Sequence, residues 1–164
     1  MLPRALGRKL PVLVLAFILA GCGGNSEPKT AFHEIRGPGF RFDAPVGWKA
    51  TTAGRTTTAA SGSELVQVAG FPLAHPYTPA LFDKVESELA IRMAQVAKGG
   101  KLTGPTTVTA GGIRSHAYTV EIGDHVDAYV FVLRDKREYQ LLCRRKSSSS
   151  TAFCDRLVSS FTLG

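Results

Sequence analysis

Nowhere in its 164 residues does this chain hold the roughly 20 consecutive apolar residues that a membrane-spanning helix needs. Histidine is sparse: His33, His75, His116 and His125 form neither His-x-x-x-His nor His-Glu-x-x-His, so the spacing signals no local metal site. There is no Gly-x-Ser-x-Gly elbow and no glycine-rich phosphate loop, which leaves nucleophilic and nucleotide chemistry without a motif. Cysteine occurs three times and never as Cys-x-x-Cys, which argues against dithiol redox catalysis. Tryptophan occurs once, at Trp48, and no internal repeat is visible. Acidic residues number 13 against 20 basic ones, a formal charge of +7.

What is present begins at the N-terminus. Met1–Leu10 carries Arg4, Arg8 and Lys9 without an acid, and the apolar run Pro11–Ala20 follows. That is the charged and then apolar layout of an export leader. Leu19-Ala20-Gly21-Cys22 closes it and resembles the lipobox of bacterial lipoproteins. The resemblance implies a Cys22 thiol carrying a diacylglyceryl thioether after cleavage, with the freed amine open to further acylation such as palmitate. Two acyl chains are what stable anchoring takes. The alternative is an ordinary secreted chain in which Cys22 stays a free thiol.

The expected division is therefore a signal peptide at 1–21, a flexible polar tether at 22–30 and one globular domain at 31–164. Removing the leader leaves 143 residues with 17 basic and 13 acidic side chains, a net +4. Such a length suits one domain with a real core, and such a charge does not call for a nucleic acid partner.

Within the domain, Phe40–Ala44 alternates apolar and polar residues as a half-buried strand does, after a Gly37-Pro38-Gly39 turn. Lys49–Thr52 and Thr56–Ala60 read as short edge strands, and Leu65–Ala69 as a strand ending at Gly70-Phe71-Pro72. The pattern predicts a helix from Thr78-Pro79 to Gly99-Gly100, capped by Thr78, with Leu81, Val85, Leu89, Met93 and Val96 as its buried stripe. Glu88 and Arg92 stand at a spacing that pairs on a helix surface. Thr106–Thr109, Ile113–Ile122, His125–Leu133 and Tyr139–Cys143 follow as strands, with turns at Gly111-Gly112, Gly123-Asp124 and Arg134–Glu138. Phe153, Leu157 and Phe161 predict a closing helix.

This order, with Gly39-Phe40-Arg41-Phe42-Asp43-Ala44-Pro45-Val46-Gly47-Trp48, Tyr139-Gln140-Leu141-Leu142-Cys143 and Ser159-Ser160-Phe161, resembles the PsbP-like fold, which includes LpqN-type and DcrB-type envelope proteins. The resemblance implies an α+β domain, a mostly antiparallel sheet between helices in an α/β/α sandwich. It also implies an accessory or binding module, not an enzyme.

Cys143 and Cys154 remain as a pair once Cys22 is set aside, and an exported chain favours a disulfide between them, with two reduced core thiols as the alternative. Glu121, Asp124 and Asp127 gather at one hairpin end, where solvated turns are the ordinary reading. Trp48, Tyr118, Tyr129 and Tyr139 are candidate walls of an apolar pocket between helix and sheet. Arg134, Lys136 and Arg137 form one basic cluster and Arg144, Arg145 and Lys146 another, candidates for contact with anionic headgroups. The expectation is a non-enzymatic, membrane-anchored envelope module on the extracytoplasmic side. It binds an unidentified envelope protein or ligand without catalytic, metal or cofactor residues; a carrier of small apolar ligands or lipids is the alternative.

Overall fold

The computed structural model describes residues 30–164. The leader, Cys22 and the tether up to Lys29 lie outside the described residues. Two antiparallel sheets and two helices make up the rest. The small sheet has the order β1-β2-β9, from β1 (Phe32–Gly37), β2 (Phe40–Pro45) and β9 (Thr162–Leu163). The large sheet has the order β3-β4-β5-β8-β7-β6, from β3 (Lys49–Ala53), β4 (Thr56–Ser61), β5 (Glu64–Tyr77), β6 (Lys101–Ala110), β7 (Ile113–Ile122) and β8 (His125–Lys146).

At 22 residues, β8 would reach about 70 Å if straight. It doubles back instead. The Ser147 amide donates to the Asp124 carbonyl at 2.8 Å, and Arg144 forks onto Asp127 at 2.7 Å. Both pairings put the apex at Asp135-Lys136, where Asp135 takes a φ of 52° that aspartate tolerates better than most residues. The charged turn expected at Arg134–Glu138 is thus real but tighter, because the strand pairing runs on through Pro72↔Arg137. The first arm of β8 pairs with β7 and the second with β5.

The core lies on both faces of this sheet. One face is covered by the small sheet and by α2 (Ala152–Ser160): Phe40, Phe42, Phe153, Leu157 and Phe161 pack on Val66, Val68, Val130, Val132, Tyr139 and Leu141. The other face is covered by α1 (Phe82–Val96), whose Leu89 and Met93 pack on Tyr118, Val120, Tyr129, Phe131 and Leu133. Burial on both sides explains why Ala128–Leu133 is apolar without alternation. The Cys143–Cys154 disulfide, with Cα atoms 5.4 Å apart, ties β8 to α2.

Several sequence expectations need correction. β5 does not stop at Pro72; it continues to Tyr77 after a register shift, as an outer segment beside the β8 apex where a missing proline amide is tolerated. Thr78 forms no side-chain cap; Pro79–Leu81 makes one 3₁₀ turn and α1 begins at Phe82. The buried stripe includes Phe82 and Ala97, while Val96 is exposed. Arg92 pairs not with Glu88 but across the interface with Glu138, at 2.7 Å. The α1 end is marked by Gly99 at a φ of 83°, the left-handed position that suits glycine after a helix.

Candidate functional site

An open concavity lies where α1 meets the edge of its sheet. Past Pro72 the β5 tail bends away from regular pairing, carries Leu73 and Tyr77, and leads through the 3₁₀ turn into α1. Between that tail and the helix is an open groove of about 600 Å³. Leu73, Leu81, Val85, Leu89 and Leu133 give it an aliphatic lining, and Lys84, Glu88 and His75 stand among its polar walls.

One wall is a built polar pair. Glu138 is nearly buried and holds Arg92 at 2.7 Å, and the guanidinium lies 4.8 Å from the Phe131 ring centroid. An arginine that is both paired and stacked is fixed in direction, and its remaining N–H groups can meet a ligand. Burial raises the Tyr77 hydroxyl pKa, with Arg114 opposing and Asp83 reinforcing the shift. Burial also raises Tyr118, reinforced by Glu86 and opposed by Arg92; its hydroxyl donates to the Glu86 carbonyl at 3.2 Å.

The remaining ionisable groups of this face are held in place. Asp127 is buried and bidentate to Arg144, whose pKa is raised chiefly by that hydrogen bond. Tyr129 beside them is raised by burial first and then by Asp127. His116 is buried, stacks 3.8 Å from the Phe82 ring, and donates from Nε2 to the Phe82 carbonyl at 3.0 Å. Arg114 covers the same phenyl ring at 3.8 Å. Among the described residues His116 Nδ1 has no hydrogen-bond partner, and it lies 3.5 Å from a Glu86 carboxylate oxygen.

The candidates from sequence are dispersed by the fold. Glu121 faces Lys101, Asp124 is exposed beside His125, and Asp127 is committed to Arg144, so the three carboxylates do not converge. Among the described residues no three His, Cys, Asp or Glu side chains are grouped to hold a metal ion. The four aromatics do not share a pocket. Trp48 packs on Phe153 and Tyr139 on Phe161, both on the α2 face, whereas Tyr118 and Tyr129 lie under α1. The basic clusters sit at opposite ends of the second β8 arm. Arg144 is neutralised by Asp127, and Arg145 is turned onto the carbonyls of Lys146, Ser147 and Ser149. Sequence reasoning expected a pocket between helix and sheet but assigned it the wrong walls, because the groove is lined from two separated stretches, 73–92 and 133–138. The one available signal was the apolar spacing of Leu73 and Tyr77 beyond the apparent end of β5.

The groove and the basic apex of β8 share one end of the molecule. β2 starts there, since the Gly39 turn approaches Tyr139. The chain enters at the far end of β1, where the Val46 amide donates to the Ala31 carbonyl at 2.9 Å and Trp48 meets the start of α2. No helix among the described residues is long and apolar enough to cross a membrane.

No family model and no curated protein matches this sequence. Solved structures do match in shape. The solution structure of cyanobacterial PsbP (CyanoP) from Synechocystis sp. PCC 6803 superposes with a TM-score of 0.59 at 14% identity, over 89% of this chain and 99% of that one. LpqN of Mycobacterium tuberculosis, described as involved in cell envelope biogenesis, superposes with a TM-score of 0.51 at 12% identity, over 83% and 92%. The domain has the PsbP-like α+β fold.

Proposed function

We propose that this chain is an exported, lipid-anchored accessory module of the cell envelope, without catalytic activity, which uses the α1 groove to bind a protein or other envelope component. The observation that carries the reading is the groove itself, aliphatic with one fixed Arg92–Glu138 wall. Its one ion pair, Arg92–Glu138, is directed at itself and not at a point where a reacting atom would sit. A lipid on Cys22 would tether the domain through the end at which the chain enters it, opposite the groove. The PsbP-like fold and the envelope role stated for LpqN add support from analogy.

Two experiments test it. Cys22→Ala releases the chain from the membrane fraction and abolishes palmitate labelling; unchanged labelling removes the anchor from the reading. A photo-crosslinking side chain at Val85, activated in intact cells, captures a discrete partner that the same group at exposed Ser87 does not. A second reading, a carrier of small apolar ligands, draws on the groove volume, which falls in the range of ligand sites. Lipid co-purifying with the wild type but not with Val85→Trp favours that reading over a protein partner.

A further inference from the structure

The basic side chains at the β8 apex do not stand alone. Two hollows adjoin there and share Gly164 in their walls: one of about 480 Å³ beside Arg134, Arg137, Tyr139 and Leu163, the other of about 330 Å³ beside Arg36 and Arg41. Local acids compensate only part of this charge. Glu34 meets Arg36 at 2.7 Å and Arg41 at 3.8 Å, Arg41 also donates to the Thr162 hydroxyl at 2.8 Å, and Asp135 meets Arg134 at 3.7 Å. Arg137 and Lys136 make no ion pair among the described residues. Five cationic side chains therefore face two carboxylate side chains and the main-chain carboxylate of Gly164, and four of the five are arginines, whose planar forks suit carboxylates.

The backbone beside the first hollow adds a second kind of recognition. β9 is a two-residue strand that pairs, among the described residues, only with β2, and its Leu163 lines the hollow. The edge of β9 turned away from β2 is thus free to accept main-chain hydrogen bonds from an added strand. A peptide satisfies such an edge; a lipid headgroup has no backbone to offer it. The hollows also lie at the end of the domain opposite the chain's entry at Ala31. We infer that this end of the domain docks an extended acidic segment of a partner protein, its backbone beside β9 and its carboxylates on Arg134 and Arg137. The inference rests on the binding-module reading above and names a second contact surface for it.

The test is fluorescence anisotropy of a labelled peptide of alternating Glu and Thr, titrated with the full chain in detergent. A Gln-Thr peptide serves as the neutral control, and phosphatidylglycerol vesicles as a competing anionic surface. The expected result is binding of the Glu-Thr peptide only, weakened about tenfold by Arg134→Ser with Arg137→Ser, on the order of one lost charge-assisted contact. Raising the salt weakens the wild type more than the double variant. Both side chains are exposed, so circular dichroism and Trp48 fluorescence should match the wild type; Arg36→Ser with Arg41→Ser is the parallel variant in the second hollow. Equal binding of the Gln-Thr peptide, or unchanged affinity in both double variants, overturns the inference. Displacement of the peptide by vesicles at matched charge overturns it too, in favour of a membrane contact. The Cys22 labelling and the Val85 crosslink are read independently of these arginines, so failure here leaves the proposed function standing, and the reverse.

Discussion

The two faces of the large sheet are built from the same strands, yet they are finished differently. The α2 face is dry and tied: aromatic rings interlock between β2, β8 and the closing helix, and a disulfide joins sheet to helix. The α1 face is covered by one helix and interrupted by His116, Tyr118, the Asp127–Arg144 pair and the Arg92–Glu138 pair, with an open groove at its end. Neighbouring residues of one strand serve both: Val130 and Val132 point to α2, Tyr129, Phe131 and Leu133 to α1. The fold places tight aromatic packing on one side and fixed polar pairs beside an open groove on the other.

The sharpest way to break this comparison is truncation. Phe42→Ala on the tied face should lose about 3–5 kcal/mol in denaturant unfolding, whereas Val85→Ala in the groove, already half-exposed, should lose about 1 kcal/mol or less. Equal losses would mean that both faces are packed alike. Next comes the buried charge on the open face. Arg144→Met leaves Asp127 without its partner and should lose about 2–4 kcal/mol, while the double change Arg144→Met with Asp127→Leu recovers much of it. Opening the disulfide with Cys143→Ala and Cys154→Ala should lose about 2–3 kcal/mol for an 11-residue separation, measured by denaturant unfolding.

The smallest effect is on pH dependence. Tyr77, Tyr118 and Tyr129 all belong to the α1 face, and burial raises each above its ordinary value near 10. A raised folded pKa holds the proton more tightly in the folded state. That stabilisation is complete below the unfolded pKa and is lost as the pH climbs through the folded one. Stability should therefore decline from about pH 10 upward, and Tyr129→Phe should flatten the decline. Trp48 packs on Phe153 and reports the other face, so its fluorescence should change later in the alkaline titration than the circular dichroism of α1.

Much of this layout was legible because turns announce themselves. Gly111-Gly112 and Gly123-Asp124 sit between Ala110↔Ile113 and Ile122↔His125, where a two-residue hairpin connection belongs. The stripe of α1 was readable from Leu89 and Met93, but its ends were not, since Ala97 is buried by Gly100 folding back and Val96 is left outside. β5 looked finished at Pro72 because proline withholds an amide; the continuation depends on the distant β8 apex, which no local pattern reports. Arg92 chose Glu138 over Glu88 because a nearly buried carboxylate 46 positions away needs a partner more than an exposed one a single turn distant. The groove has the same character: it exists only where non-adjacent segments fail to close on one another.

The β2–β9 contact has a consequence for the order in which the molecule comes into being. Arg41 donates to the Thr162 hydroxyl across 121 positions, and the Asp43 amide donates to the Ser160 hydroxyl oxygen across 117. A chain emerging N-terminus first therefore cannot complete the α2 side until its final residues appear, whereas α1, β7 and the first arm of β8 are all available by Leu133. Closing so long a loop carries an entropic penalty that neighbouring hairpins do not meet. The α1 side thus has the head start, and the Cys143–Cys154 bond can form only later, once Cys154 has followed Leu133 out.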